Sequence, residues 1–306
     1  MKVISINEHL TGFYFAGDSV IWKEDPAAGM DDNWSLGGCN SLGVCCYVLH
    51  KSGEALIYDT LCSPEQIGEV RAYLETRGIS RFTVTLSHWH LDHVGGNAVF
   101  QDCNIISTEK TRQALVLYQN AIERGELWGE PPIKPLRLPD VTYKHELTIY
   151  VGGLEARLHN INIHTDDGAF LYLPEDKLLL VGDMLEDTCP FITNPRDIPV
   201  HIENLAKLKG MDFTAIYPNH GSYNTVSKGG YTRKFIDAAI YYLEKMHKAV
   251  NADLNCPEPD LSTFAAKYLE EGAIRYWAPY EVVHKGNFER TKLALSNPDW
   301  DISEGL

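Results

Sequence analysis

Four side chains that commonly bind metal ions fall within six consecutive residues of this sequence: His88, His90, Asp92 and His93. They follow the segment FTVTLS, whose apolar and β-branched residues predict a buried strand. Side chains two residues apart in an extended chain point to the same side, so His88 and His90 can bind one metal ion. Asp92 and His93 lie past the bend and can face a second ion. The fold must therefore present the end of a strand to a metal site.

The donor atoms in this cluster favour a catalytic site over a structural one. Imidazole nitrogens and carboxylate oxygens suit Zn²⁺, and they also suit iron or manganese. A structural zinc site would more often use a closed set of cysteine thiolates, whereas an open coordination position indicates catalysis. The cysteines are scattered and without Cys-x-x-Cys spacing, and we predict that they are reduced: Cys39, Cys45, Cys46, Cys62, Cys103, Cys189 and Cys256.

The order of the predicted elements indicates an α/β fold. Strands at the amino end precede a helix that starts at Ser63 and stops at Gly78. A second helix is predicted over residues 108–124, and strands return from 141 to 183 with a hairpin at 174–177. A third helix ends at Gly210, and the chain after residue 230 is mostly helical. Two β-rich halves that each end in potential ligands predict two sheets packed face to face, with helices outside.

The motif His88-x-His90-x-Asp92-His93 resembles the metal-binding signature of the metallo-β-lactamase superfamily. The resemblance covers about residues 10 to 225 and implies the αβ/βα four-layer sandwich of that family for residues 1–225. Residues 226–306 are then a helical extension at the carboxyl end, packed near the active site. A resemblance to glyoxalase II and the quinolone-response thioesterase of pseudomonads supports this arrangement.

The resemblance also implies the complete ligand set. The first ion is bound by His88, His90 and His164, the second by Asp92, His93 and His220, and Asp183 bridges the two. Two divalent ions that share Asp183 would hold a bridging hydroxide near neutral pH, which Asp92 could orient and whose proton it could carry to the leaving group. Asp59 matches a family carboxylate that supports the site, although Leu61 stands where the family has glycine.

Composition limits the partners of the protein. The net charge of −15 disfavours nucleic acid, because a phosphate backbone is bound by a basic surface. No apolar run approaches the roughly 20 residues that cross a bilayer, and the amino end does not resemble a signal peptide. We therefore expect a cytoplasmic protein with a small-molecule substrate and no membrane or nucleic-acid partner, and the sequence leaves a homodimer open.

The superfamily includes several reactions, and the sequence favours one group of them. The bridging Asp183 argues against a true β-lactamase, and the acidic charge argues against a nuclease, which leaves esters, thioesters and lactones. Two alternatives stay open: an iron-dependent oxidoreductase, persulfide-dioxygenase-like or diiron, and a metal-bearing protein that mainly binds a partner. Candidate residues of the substrate pocket are Trp89, Phe191, Tyr223, Arg233 and His284.

Overall fold

Two β-sheets form the centre of the computed structural model, which describes residues 1–15, 34–35 and 41–300. The first sheet contains, in this order across the sheet, β1 (Lys2–Ser5), β2 (Leu10–Phe15), β3 (Val44–Lys51), β4 (Glu54–Tyr58), β5 (Arg81–Thr85), β6 (Ile105–Thr108) and β7 (Val141–Tyr143). The second contains β8 (Glu146–Val151), β9 (Leu154–Asn160), β10 (Ala169–Leu173), β11 (Leu178–Leu180) and β12 (Ala215–Tyr217), likewise in chain order. Strands β1 to β4 and β8 to β11 pair antiparallel, and the remaining neighbours pair parallel.

Helices separate and follow these strands. In the described residues they are α1 (Pro64–Glu75), α2 (Leu91–Val94), α3 (Glu109–Arg124), α4 (Ile198–Lys209), α5 (Tyr223–Val226), α6 (Arg233–Ala252), α7 (Leu261–Phe264), α8 (Ala266–Glu270) and α9 (Tyr280–Ser296). The predicted start of α1 is confirmed, because the Ser63 side chain accepts a hydrogen bond from the backbone N–H of Gln66. The predicted hairpin between β10 and β11 and the helical carboxyl-terminal region are confirmed as well.

Strand β3 shows how the layers are arranged. Its side chains are apolar on both faces, as in a strand that is covered from both sides. Val44, Cys46 and Val48 pack in one cluster with α1 and α3, whereas Tyr47 and Leu49 pack in another with the second sheet. Helices α4, α6 and α9 belong to that second cluster. The layers are therefore helix, sheet, sheet, helix, and the predicted fold is confirmed.

The carboxyl-terminal helices are fixed to a loop that follows β11. The side chain of Asn287 in α9 accepts a hydrogen bond from Ile192 N (2.9 Å) and donates one to Pro190 O (2.8 Å). The Tyr280 hydroxyl donates to Glu186 Oε2 at 3.1 Å. Unpaired buried polar groups cost about 1–3 kcal/mol each, so these bonds define how the extension sits on the loop. The boundary between residues 225 and 226 stays a prediction.

One expectation about the cysteines fails. Free thiols occur at Cys45, Cys46, Cys103, Cys189 and Cys256, as predicted, but Cys62 is disulfide-bonded. The spacing of the cysteines does not predict this disulfide, because Cys62 is not part of a recognised cysteine motif. Cys39 lies outside the described residues.

Among the helices that the structure describes, none has the length and apolar character needed to cross a membrane.

Candidate metal centre

Seven side chains from four segments meet at one edge of the two sheets. His88 and His90 follow β5, and Asp92 and His93 lie on the short helix α2. His164 lies in the loop between β9 and β10, Asp183 in the loop after β11, and His220 in the loop after β12. They form two groups whose potential ligand atoms lie within 4.8 Å of one another: His88, His90 and His164, and Asp92, His93, Asp183 and His220. These are the two sets that the resemblance implies, with Asp183 in the second group.

The histidine group has the geometry of a site for one ion. His90 Nδ1 and His164 Nε2 lie 3.1 Å apart, close to the distance of about 3.3 Å between two nitrogen ligands of tetrahedral zinc. The His88 ring lies 4.5 Å from the His90 ring and 4.8 Å from the His164 ring, measured between centroids. All three rings are buried. Three imidazoles that face one another in this way share a point that a cation can occupy.

The second group combines two imidazoles with two carboxylates. His93 Nε2 lies 2.9 Å from Asp183 Oδ2, and His220 Nε2 lies 2.9 Å from Asp92 Oδ2. Asp183 Oδ2 also lies 3.4 Å from His220 Nε2 and 3.8 Å from His88 Nε2. Asp183 therefore stands between the two groups, which is the place of a bridging ligand.

Two potential ligand atoms have no partner within the part of the chain that the structure describes. Burial removes His88 Nε2 and Asp183 Oδ1 from solvent, yet neither atom forms a hydrogen bond there. A buried polar atom without a partner is unfavourable and therefore rare, unless a ligand or an ion satisfies it. The chemistry of these donors, nitrogen and oxygen without sulfur, fits divalent zinc, iron or manganese. The residues present thus fit a pair of metal ions.

The rings are oriented by hydrogen bonds at their other nitrogen atoms. Ser87 Oγ lies 2.9 Å from His88 Nδ1, Phe191 O lies 3.0 Å from His164 Nδ1, and Gly43 O lies 2.7 Å from His220 Nδ1. In metal sites such contacts fix the tautomer and the direction of the imidazole. In these three residues the remaining Nε2 atom is therefore directed towards the centre.

Asp59 performs the same task for His93. It follows β4 with φ of 69°, and its carboxylate is 1% exposed. Oδ2 accepts hydrogen bonds from His93 Nδ1 (2.9 Å) and Asn219 Nδ2 (2.7 Å), and Oδ1 accepts one from Ser87 N (2.6 Å). The structure thus places the predicted supporting residue behind the cluster. Ser87 and Asn219 were not predicted, although each directly precedes a predicted ligand.

Charges within the cluster are divided between the two groups. Burial, reinforced by the neighbouring imidazoles, lowers the pKa of His88 well below its usual value. Burial would also lower the pKa of His220, but Asp183 and Asp92 outweigh it and raise that pKa to about 10. Burial would raise the pKa of Asp183, but His220 and His93 outweigh it and lower that pKa. Without a metal ion, His88 in the histidine group is therefore neutral, whereas His220 carries a proton that balances the ionised carboxylates. A divalent cation can replace that proton.

Aromatic side chains border the histidine group. Trp89 stacks between Tyr118 and Trp128, each at 5.1 Å, and lies 4.9 Å from the His90 ring. Trp128 also lies 4.9 Å from His90, and Phe191 lies 5.9 Å from His164. Two of the predicted pocket residues, Trp89 and Phe191, are thus next to the centre. Trp128 was not among the predicted pocket residues, although its ring lies as close to His90 as that of Trp89.

The other predicted pocket residues lie elsewhere in the described structure. Arg233 donates to Met211 O (2.6 Å) and Phe213 O (3.1 Å), so its guanidinium already has backbone partners. His284 is buried in the helical extension, where its ring nitrogens face the Tyr242 hydroxyl and the Pro259 carbonyl. Among the described contacts, neither residue touches the seven clustered side chains. Tyr223 lines a pocket near His220.

Fold and site together define the class: a four-layer αβ/βα protein with a histidine- and aspartate-rich centre that fits two metal ions. A family model described as the metallo-beta-lactamase superfamily matches residues 41–239. The chain belongs to the metallo-β-lactamase superfamily.

Known relatives and solved structures agree with this assignment. The chain is 26% identical over 180 residues to a beta-lactamase-like protein 2 homolog of Caenorhabditis elegans, and 25% identical over 201 residues to one of Drosophila melanogaster. These matches cover 57% and 60% of the chain but only 55% and 62% of the relatives. A metallo-beta-lactamase from Pontibacter korlensis superposes with a TM-score of 0.57 at 17% identity, over 79% of this chain and 98% of that one. DIM-1 metallo-beta-lactamase gives 0.52 at 18% identity, over 72% and 89%. At such identities the solved structures show the fold alone.

Proposed function

We propose that the protein is a metal-dependent hydrolase that binds two divalent ions, with zinc as the expected metal, and cleaves an ester, thioester or lactone bond of a small molecule. The observation that carries the proposal is the double group of ligands around Asp183, in which His88 Nε2 and Asp183 Oδ1 are buried and have no protein partner in the described residues. When bound, two such ions supply a water-derived nucleophile near neutral pH and stabilise negative charge on the oxygen of the scissile carbonyl.

Asp92 is the residue that we expect to handle protons. Its side chain is 16% exposed, more than Asp183 at 5%, so it faces the open side of the centre. Burial would raise the pKa of Asp92, but His93 and His220 outweigh it and hold the pKa well below its usual range. Asp92 is therefore a carboxylate at neutral pH. It can accept a hydrogen bond from a water molecule, orient that molecule and pass its proton to the leaving group.

The surroundings of the histidine group favour an apolar part of the substrate on that side. Trp128 and Phe191 present rings beside His90 and His164. Flat apolar surfaces bind acyl chains or rings, with large buried areas per side chain. We therefore expect the acyl group, rather than a charged group, to lie near the first ion. A small-molecule substrate, a cytoplasmic location and the absence of nucleic-acid and membrane partners stay predictions of the sequence.

The test combines metal analysis with a hydrolysis screen. Protein purified without added metal should contain two metal ions per chain and hydrolyse activated esters, thioesters or lactones. Asp92→Asn should lower kcat by about 100-fold or more, as loss of a general acid or base does. Asp166→Asn is the matched control, because Asp166 is an exposed carboxylate paired with Lys110. One iron per chain, together with oxygen consumption on a thiol substrate, would instead establish an oxidoreductase.

A further inference from the structure

A second pocket lies beside His220, on the side of its Nδ1 atom. It has a volume of about 600 Å³. Its lining includes Gly43, whose carbonyl accepts the hydrogen bond from His220 Nδ1, and Gly221, which follows His220 in the chain. His220 Nε2, on the other edge of the ring, faces Asp92 in the candidate metal centre. The pocket and the metal centre therefore lie on different sides of one imidazole.

Positive charge distinguishes this pocket from the rest of an acidic chain. Lys2 and Arg275 line it, although the whole sequence carries a net charge of −15. The Lys2 ammonium lies 4.4 Å from the Tyr223 ring, and Arg275 Nη1 lies 3.3 Å from Ser222 Oγ. Within the described residues, neither cation forms an ion pair with a carboxylate. Two cations that have no anionic partner among the described residues, around one concave site, attract an anionic ligand.

The single carboxylate in the described lining does not oppose such a ligand directly. Asp187 is only 5% exposed. Its Oδ1 accepts a hydrogen bond from Arg275 N at 2.6 Å, and its Oδ2 accepts one from the Tyr231 hydroxyl at 2.7 Å. Both carboxylate oxygens thus accept hydrogen bonds from the protein itself beneath the pocket. The charges that face the open space are the two cations.

Aromatic rings supply a second kind of contact. Tyr14 and Tyr223 lie 5.4 Å apart and line the pocket together with Tyr276 and Trp277. Tyr276 and Trp277 are 48% and 44% exposed, which is high for such large side chains. Exposed aromatic rings that border a concave site are typical of a surface that binds a flat partner.

The main chain that carries Arg275 and Trp277 is held in place before any ligand arrives. Thr188 Oγ1 donates to Arg275 O at 2.6 Å and accepts a hydrogen bond from Trp277 N at 2.9 Å. Trp277 Nε1 donates to Ser41 O at 2.9 Å. The main chain on both sides of Tyr276 is therefore fixed to the loop after β11. A site that is ordered in advance loses less conformational entropy on binding.

We propose that this pocket binds a small molecule that combines an anionic group, a carboxylate, phosphate or sulfonate, with a flat ring. The anionic group lies between Lys2 and Arg275, and the ring lies against Trp277 and Tyr223. The proposal does not depend on the hydrolase activity, because no metal ligand lines the pocket.

The test is calorimetric titration of the metal-loaded protein with naphthalene-1-sulfonate, which carries both features and has no bond for a hydrolase to cleave. Arg275→Ala and Lys2→Ala should each weaken binding about tenfold or more, because a charge-assisted hydrogen bond is lost. The matched controls are Arg124→Ala and Lys248→Ala, which remove exposed cations elsewhere and should leave the dissociation constant unchanged. Uncharged 1-naphthol and ringless methanesulfonate should both bind more weakly than the complete probe.

Two further measurements separate the pocket from the metal centre. The metal content of Arg275→Ala and Lys2→Ala should equal that of the wild type, and Asp92→Asn should bind the probe as the wild type does. Absence of binding, equal affinity in all variants, or loss of binding in Asp92→Asn would each overturn the proposal. Inactive protein that still binds the probe would contradict the proposed function and leave the pocket supported.

Discussion

Replacement of Asp59 by Asn is the sharpest test of how the candidate metal centre is supported. The buried carboxylate accepts three hydrogen bonds, from Ser87 N, His93 Nδ1 and Asn219 Nδ2. An amide has a single acceptor oxygen. If that oxygen faces Ser87, two bonds are lost; if the amide turns round, one bond is lost and the NH₂ group faces the Ser87 N–H.

The magnitude follows from the cheaper of these two arrangements. A hydrogen bond to a charged group contributes about 1.5–3 kcal/mol, so we expect Asp59→Asn to lower the free energy of unfolding by about that amount. In this arrangement a neutral amide oxygen replaces the carboxylate behind His93, and the weaker hydrogen bond to His93 Nδ1 should also lower metal affinity by about 10- to 100-fold. Urea unfolding of the metal-free protein measures the first effect, and competition with a chromogenic chelator measures the second.

An exposed carboxylate, Asp166, provides the control for the buried carboxylate of Asp59. Asp166 is 60% exposed and pairs with Lys110 at 2.8 Å, so Asp166→Asn should cost below about 1 kcal/mol and leave metal affinity unchanged. If Asp59→Asn behaves like Asp166→Asn in both assays, the carboxylate does not orient His93, and our account of the support is refuted.

Three other substitutions test separate features. Gly95→Ala should destabilise the protein and lower its metal content, because the added methyl group would overlap the backbone carbonyl of Cys62, whereas Gly68→Ala on α1 meets no atom within 4 Å and should be neutral or stabilising. Thermal unfolding and metal analysis of both variants check this. Burial raises the pKa of Asp167 from 3.8 to about 6. The folded state therefore loses stability as the pH rises between these two values, and above the higher one the full cost of the buried charge is present. Asp167→Asn should therefore gain up to about 3 kcal/mol relative to the wild type between about pH 4 and pH 7 in urea titrations of metal-free protein, and a constant difference would contradict the sign. Asn287→Ala should lower the unfolding free energy by about 2–4 kcal/mol, since three buried hydrogen bonds, with Ile192 N, Pro190 O and the Tyr242 hydroxyl, are lost. An unchanged urea midpoint would show that the extension is not fixed through this residue.

The sequence predicted the cluster because its chemistry is local. Four ligands lie within six residues at the end of a strand, and strand geometry alone separates them into two pairs. His164, Asp183 and His220 are far apart in the chain, so only the resemblance could place them with the cluster. The structure brings them there because all three follow strands of the second sheet that end at the same edge.

The surroundings of the cluster could not be predicted in the same way. Arg233 was a candidate for substrate binding because a cation can hold a carboxylate, but two backbone carbonyls satisfy it instead. Such a partner has no sequence signature, since every residue carries a carbonyl. Arg275, which lines the pocket beside His220, was not predicted as a site residue, because no sequence pattern marks the backbone contacts that place it there. Its role depends on where the loop after β11 holds its main chain.

The loop that carries Asp183 continues into the residues that hold the helical extension, from Glu186 to Ile192. An engineer who exchanges the carboxyl-terminal helices for those of a relative would leave Glu186 and the main chain at Ile192 without their present partners. A successful chimera would have to transplant this loop along with the helices. Because the same loop carries Asp183, sequence changes in the helical extension are constrained by the need to keep Asp183 between the two groups of ligands.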